Sequence, residues 1–199
     1  IIVTPAVTII SGVSIGTLLG PVINNLMSGL GKTIMLATSL QPFWMGIVIS
    51  VIVGIVLTLP ISSAALCMML SLAGLAGGAA TAGCSAQMIG FAVMSFKENG
   101  WSGLLAQGLG TSMLQIPNIL KNWKIWIPPT LASAITGPIA TTIFKMENIP
   151  LGSGMGTSGL VGQIGTITAM GEAGASAFTI YTGIVVVHFL LPAVLSLIF

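Results

Sequence analysis

The chain contains no arginine and no aspartate, and its formal charges come from five lysines and three glutamates in 199 residues. Soluble domains carry about 25% charged residues, whereas only 4% are charged here, too few to clothe a surface that faces water. The net charge of +2 comes from lysines scattered along the sequence. That excludes a basic patch for nucleic acid and a polybasic cluster for lipid headgroups. One histidine, three glutamates and two cysteines do not make a metal-ligand cluster, and no Gly-x-x-x-x-Gly-Lys-Ser/Thr phosphate loop occurs, so neither metal nor cofactor is implied. Cys67 and Cys84 sit in apolar or small-residue segments, where a free thiol behaves as a small hydrophobe. The opening at Ile1 lacks the basic region and cleavage site of a signal peptide. Residues 1–199 therefore read as a single transmembrane domain, part of a longer chain.

What fills the sequence instead is apolar: 55% hydrophobic residues and a mean hydropathy of +1.11. No charge lies between Lys32 and Lys97, and further charge-free runs cover 1–31, 99–120, 125–144, 148–171 and 173–199. A membrane-crossing helix needs about 20 apolar residues. The runs do not alternate as barrel strands do. The expected class is an all-α integral membrane protein, a polytopic helical bundle with broken or re-entrant segments, and the lipid bilayer is its first partner. The lysines do not sort onto alternate loops, so they set no orientation.

Along the chain, residues 1–30 are long enough for one span, interrupted by Pro5, Gly12, Gly16, Gly20 and Pro21, with Lys32 and Thr33 in a following loop. Gln41-Pro42-Phe43-Trp44 suits a membrane interface. Residues 43–59 form the cleanest span. Residues 60–96, rich in Ser, Ala and Gly, predict two close-packed helices or two short broken segments, facing protein rather than lipid. Lys97-Glu98-Asn99-Gly100 has the charge and turn chemistry of a loop. Residues 101–120 carry Gln107, Gln115, Pro117 and Asn118 and are not a plain span. The mixed lysines and tryptophans of 121–126 suit the membrane surface. A short span over 130–144 closes at Lys145-Met146-Glu147-Asn148, and residues 173–199 supply the last span.

Residues 151–166 hold glycine at a density that destabilises a regular helix by roughly 1 kcal/mol per residue relative to alanine. This predicts a broken helix whose backbone, with Ser153, Thr157, Ser158 and Gln163, can bond a polar solute. A faint internal echo pairs Gly20-Pro21-Val22 with Gly137-Pro138-Ile139, and Pro60-Ile61-Ser62-Ser63 with Pro150-Leu151-Gly152-Ser153. Asn24 and Asn25 are adjacent amides in an apolar segment and need partners once water is absent. Glu172 is the only acid outside the loops, a functional candidate on the expectation that it is buried. His188, the only histidine, lies in the last span and can bond a solute or a neighbouring helix. On one straight helix it would lie about 24 Å from Glu172, so the two share a site only if the chain folds back.

Thr58-Leu59-Pro60-Ile61-Ser62-Ser63-Ala64-Ala65, Gly20-Pro21-Val22-Ile23-Asn24-Asn25 and the stretch from Gly152 to Glu172 together resemble the EIIC-like membrane proteins of the bacterial phosphotransferase system, in the perfringolysin-regulator-like branch. The resemblance spans essentially the whole chain, without a clear Gly-Ile-Thr-Glu element. It implies a homodimeric permease in the cytoplasmic (inner) membrane, multi-pass, that moves a sugar or similar small polar solute, with phosphotransferase partner proteins delivering phosphate. It is not a catalyst on its own. In sugar-transporting relatives a membrane-embedded Glu and His hold the sugar, and Glu172 and His188 are the residues that could match. The alternative is a membrane-bound regulator or sensor with a transporter-derived fold. The substrate-binding set is thus Glu172, His188, Asn24, Asn25, Ser62, Ser63, Ser153, Thr157, Ser158 and Gln163.

Overall fold

The computed structural model describes residues 3–199, and the described residues form helices and turns with no strand. The all-α class expected from composition is what the chain adopts. Its helices are α1 (Val3–Leu40), α2 (Pro42–Thr58), α3 (Ser63–Met69), α4 (Gly74–Met94), α5 (Phe96–Leu105), α6 (Ile116–Lys121), α7 (Ile127–Pro138), α8 (Pro150–Ser153), α9 (Val161–Glu172), α10 (Ala177–Gly183) and α11 (Leu191–Ile198). Wide π turns at Ile139–Ile143 and Ile184–Leu190 continue α7 and α10. The latter joins α10 to α11 as one helix of 22 residues, Ala177–Ile198, long and apolar enough to cross a membrane. α2 is equally apolar but has only 17 residues.

Two local readings are corrected. α1 is continuous through Pro21 and through Lys32 and Thr33, which are helical rather than in a loop. Gly31 permits this, because a Cβ there would strike the Leu70 carbonyl, so its lack of a side chain serves close docking rather than a turn. Thr33 Oγ1 and Thr38 Oγ1 donate back to the Gly29 and Ile34 carbonyls at 3.0 and 2.7 Å. Lys97-Glu98-Asn99 likewise belongs to a helix, the first turn of α5, where Glu98 faces the positive end of the helix dipole. The break comes at Gly100, whose φ of +58° suits glycine.

α4 is the central element and is buried on every side from Ala76 to Met88. It is built from residues small enough for α2, α7 and α11 to lie against it. Gly83 abuts the Ser50 backbone, Gly54 abuts Gly83, Gly137 abuts Gly46, and Gly90 abuts Ser196 and Pro129. This is small-residue packing, in which missing side chains let backbones approach. Polar links reinforce it: Ser50 Oγ donates to the Ser133 carbonyl at 2.8 Å, and Ser133 Oγ to the Gly83 carbonyl at 3.3 Å. Apolar clusters flank α4, one from Ile49, Val53, Leu57, Leu72 and Met88, the other from Ala140, Met146, Met170, Ile180 and Val187. The outward positions stay apolar as well, with Val48 and Ile52 on α2 and Val185, Leu190, Val194 and Leu197 on the last helix all exposed.

Candidate functional site

The glycine-dense stretch breaks as its composition predicts. α8 ends after Ser153, a turn passes through Gly156 at φ +54°, and a short 3-10 turn at Ser158–Leu160 leads into α9. Gly159 and Leu160 are both left-handed, at φ +52° and +59°, which for Leu160 costs about 1 kcal/mol or more. The turn is pressed into the bundle: a Cβ on Gly156 would lie 2.7 Å from Cys84 and 2.8 Å from the Ser85 nitrogen.

Two other unwound stretches meet it. Ser63 Oγ, at the start of α3, donates to the Gly154 carbonyl at 2.6 Å, and Ser153 Oγ donates to the Leu72 carbonyl beyond the end of α3 at 2.7 Å. The two proline-led Ser/Gly segments noted as an echo in the sequence thus lie close together, Ser63 bonding the residue after Ser153 and Ser153 bonding the far side of α3. Thr157 Oγ1 donates to the Gly108 carbonyl at 2.5 Å, inside the π turn Ala106–Gly110. Between the three stretches lies a cleft of about 180 Å³ lined by Ser62, Ser63, Thr111, Met155 and Ser158 with Leu57, Ile61 and Met113. Ser62 also caps α3, its hydroxyl accepting from the Ala65 nitrogen at 3.2 Å.

Asn148 holds the arrangement together, and no signal in the sequence distinguished it from the loop residues beside it. It is 1% exposed. Its Nδ2 donates to Thr81 Oγ1 at 2.6 Å and to the Gly162 carbonyl at 2.9 Å, and its Oδ1 accepts from the Ile149 nitrogen at 2.8 Å. Its backbone exchanges two bonds with Gly74. Gly152 and Gly165 both lie against its side chain, leaving no room for a Cβ.

His188 is fully buried on the last helix, and its Nδ1 lies 3.1 Å from Gln163 Nε2 on α9. An amide nitrogen only donates, so Nδ1 accepts and the neutral ring carries its proton on Nε2. His188 Nε2 and Gln163 Oε1 are buried without a hydrogen-bond partner, as are Ser85 Oγ and Ser196 Oγ. Together the pair offers one free donor and one free acceptor.

The chain does fold back after Glu172, but it brings Gln163 to His188, 25 residues apart. Glu172 is exposed at the end of α9, where Gly174 at φ +76° and the cap Ser176 turn the chain into α10. The expectation of a buried carboxylate is not met within this chain; glycine and serine make the loop that no Lys, Asn or Pro announced. Asn24 and Asn25 are exposed on α1, outside the cleft. Of the ten candidates, Ser62, Ser63 and Ser158 line the cleft, Ser153 and Thr157 tie its walls, and Gln163 and His188 pair in the buried interior without lining it.

At the far end of α4 the glutamines of 101–120 form a relay that the sequence reading treated only as a reason to doubt a span. Asn118 Nδ2 donates to Gln115 Oε1 at 2.8 Å, Gln115 Nε2 to Gln107 Oε1 at 2.9 Å, and Gln107 Nε2 to Ser95 Oγ at 2.9 Å. Gln87, also fully buried, accepts from Trp126 Nε1 at 3.0 Å and donates to Thr130 Oγ1 at 3.1 Å.

No curated protein and no solved structure matches the chain. The family described as phosphotransferase system, EIIC, matches residues 1–199 from end to end. A chain of apolar helices whose hydroxyl-bearing breaks converge on one cleft is in keeping with that family, and this protein belongs to it, as a permease component of the bacterial phosphotransferase system.

Proposed function

We propose that this chain is a multi-pass permease of the inner membrane that carries a sugar or similar small polyhydroxylated solute through the junction of its three broken segments. The observation that carries this reading is the meeting of the Pro60–Ser63, Gly108–Thr111 and Gly152–Leu160 stretches around one cleft. Unwound backbone is tolerated at membrane depth only inside protein or beside a polar cavity, and transporters place such breaks around their solute. Ser62, Ser63, Thr111 and Ser158 supply hydroxyls at the cleft. In the buried interior, the free Nε2–H of His188 and the free Oε1 of Gln163 suit a hydroxyl group, which both donates and accepts. Phosphotransferase partner proteins then phosphorylate the solute, and the working unit is a homodimer.

The test is uptake by proteoliposomes containing the purified chain, with a panel of labelled hexoses, hexitols and amino sugars, in the presence and absence of the phosphotransferase proteins. One solute is taken up, and Gln163→Leu and Ser158→Ala each weaken its binding about tenfold, equivalent to about 1.4 kcal/mol, while the protein stays folded. Binding without any flux would overturn the permease reading in favour of a membrane-bound sensor.

A further inference from the structure

A second cleft, larger than the one at the junction of the broken segments, takes in the amide relay beyond the end of α4. It has a volume of about 360 Å³ and sits where α4 turns into α5, with Phe91 and Ile125 as apolar floor and Glu98, Asn99, Gln115 and Asn118 as polar wall. Its size falls within the range of small-molecule sites, which combine an apolar body with a few placed polar groups.

The amide relay decides what this wall presents. Asn118 spends one N–H on Gln115, and Gln115 spends its oxygen on Asn118 and one N–H on Gln107. Asn118 therefore keeps its Oδ1 and its second N–H, and Gln115 keeps its second N–H. The relay ends on Ser95, which lines the same cleft, so Gln115, 6% exposed, is held in place. The Asn99 amide and the Glu98 carboxylate make no hydrogen bond or ion pair among the described residues. The wall thus offers donors and acceptors side by side, with one carboxylate and no lysine among its lining residues.

From this we infer that the cleft between α4, α5 and α6 is a second binding site, separate from the junction of the broken segments, for a small neutral polyol. A hydroxyl both donates and accepts, so adjacent hydroxyls can use an amide's oxygen and its N–H together and can donate to the carboxylate as well. An ammonium group would satisfy only Glu98 and the amide oxygens and would leave the amide N–H groups without acceptors. The apolar floor fits the C–H face of a sugar ring or a polyol chain. The inference does not rest on the transport reading, because it concerns binding at a different group of residues.

Calorimetric titration of the purified chain in detergent with D-glucose and D-sorbitol, and with ethanolamine hydrochloride as the cationic comparator, tests it. At least one polyol binds saturably, and Asn118→Leu or Asn99→Leu weakens that event about tenfold, whereas Ser158→Ala at the junction leaves it unchanged. Both asparagines are exposed, so their replacement leaves the core intact, and unchanged thermal unfolding verifies this. The inference is overturned if neither polyol binds, if ethanolamine alone binds, or if polyol binding responds to Ser158→Ala and not to the asparagine variants. In the last case the junction accounts for all binding, and the permease reading survives on its own.

Discussion

Asn148 shows how much of this structure hangs on single polar side chains in an interior without water. Its amide bonds Thr81, the Gly162 carbonyl and the Ile149 nitrogen at once, so replacement by leucine leaves the Ile149 nitrogen without its partner, at about 1–3 kcal/mol, and presses a branched side chain against Gly152 and Gly165. Asn148→Leu is expected to lower the thermal midpoint in detergent by many degrees, and Asn148→Asp, whose carboxylate keeps the bond from Ile149 but sets an oxygen against the Gly162 carbonyl, to lower it as well, least at acid pH where the carboxyl is protonated. Gly156 is constrained in another way. Its φ of +54° and the proximity of Cys84 and Ser85 oppose any side chain, so Gly156→Ala should destabilise by roughly 1–3 kcal/mol. Gly171, inside α9 with nothing near its Cβ position, is the comparator: Gly171→Ala should stabilise by up to about 1 kcal/mol. Thermal unfolding of the two variants side by side checks both signs.

Among the elements, α4 matters most, and its partners lie close because glycine and serine line the seams. A valine at position 83 would wedge its methyl groups into the Ser50 backbone of α2. Gly83→Val is expected to abolish recovery of monodisperse protein on size exclusion, while Gly110→Ala, with open space at its Cβ position, is recovered normally. Several elements were legible in the sequence. Residues 43–59 became α2 because an uninterrupted apolar run ending at Leu59-Pro60 has one regular solution. The stretch from 151 to 166 broke because glycine at that density cannot sustain a helix. The continuity of α1 was not legible, since Gly31 looks the same in sequence whether it makes a turn or a docking surface, and its use depends on Leu70. The helical placement of Lys97-Glu98-Asn99 was hidden for a similar reason: the group has turn chemistry, yet the turn itself is confined to Gly100.

For the whole molecule, the outward apolar faces of α2 and the last helix ask for hydrocarbon around them, since contiguous apolar patches of this extent are rare on soluble monomers. In a single-tryptophan variant carrying Ile52→Trp, with the four native tryptophans replaced by phenylalanine, brominated lipid should quench the fluorescence strongly and aqueous iodide weakly. Position 52 lies mid-helix on α2 and is 54% exposed on the chain. The opposite result would remove α2 from the bilayer and overturn the proposed multi-pass arrangement.

Composition by itself determined that this chain is helical and belongs in a membrane: with so few charges, nearly every surface must be apolar, and each backbone polar group must find its partner within the chain. It also marked the breaks, because glycine and proline act locally. Only the tertiary structure decided which polar groups share a site. Gln163 meets His188, Ser63 meets Gly154 and Asn148 meets Thr81 across 25, 91 and 67 residues, while Glu172 turns outward. Pairing at such separations depends on which helices pack together, and that choice rests on the small-residue seams around α4, where what matters is the shape that missing side chains leave behind.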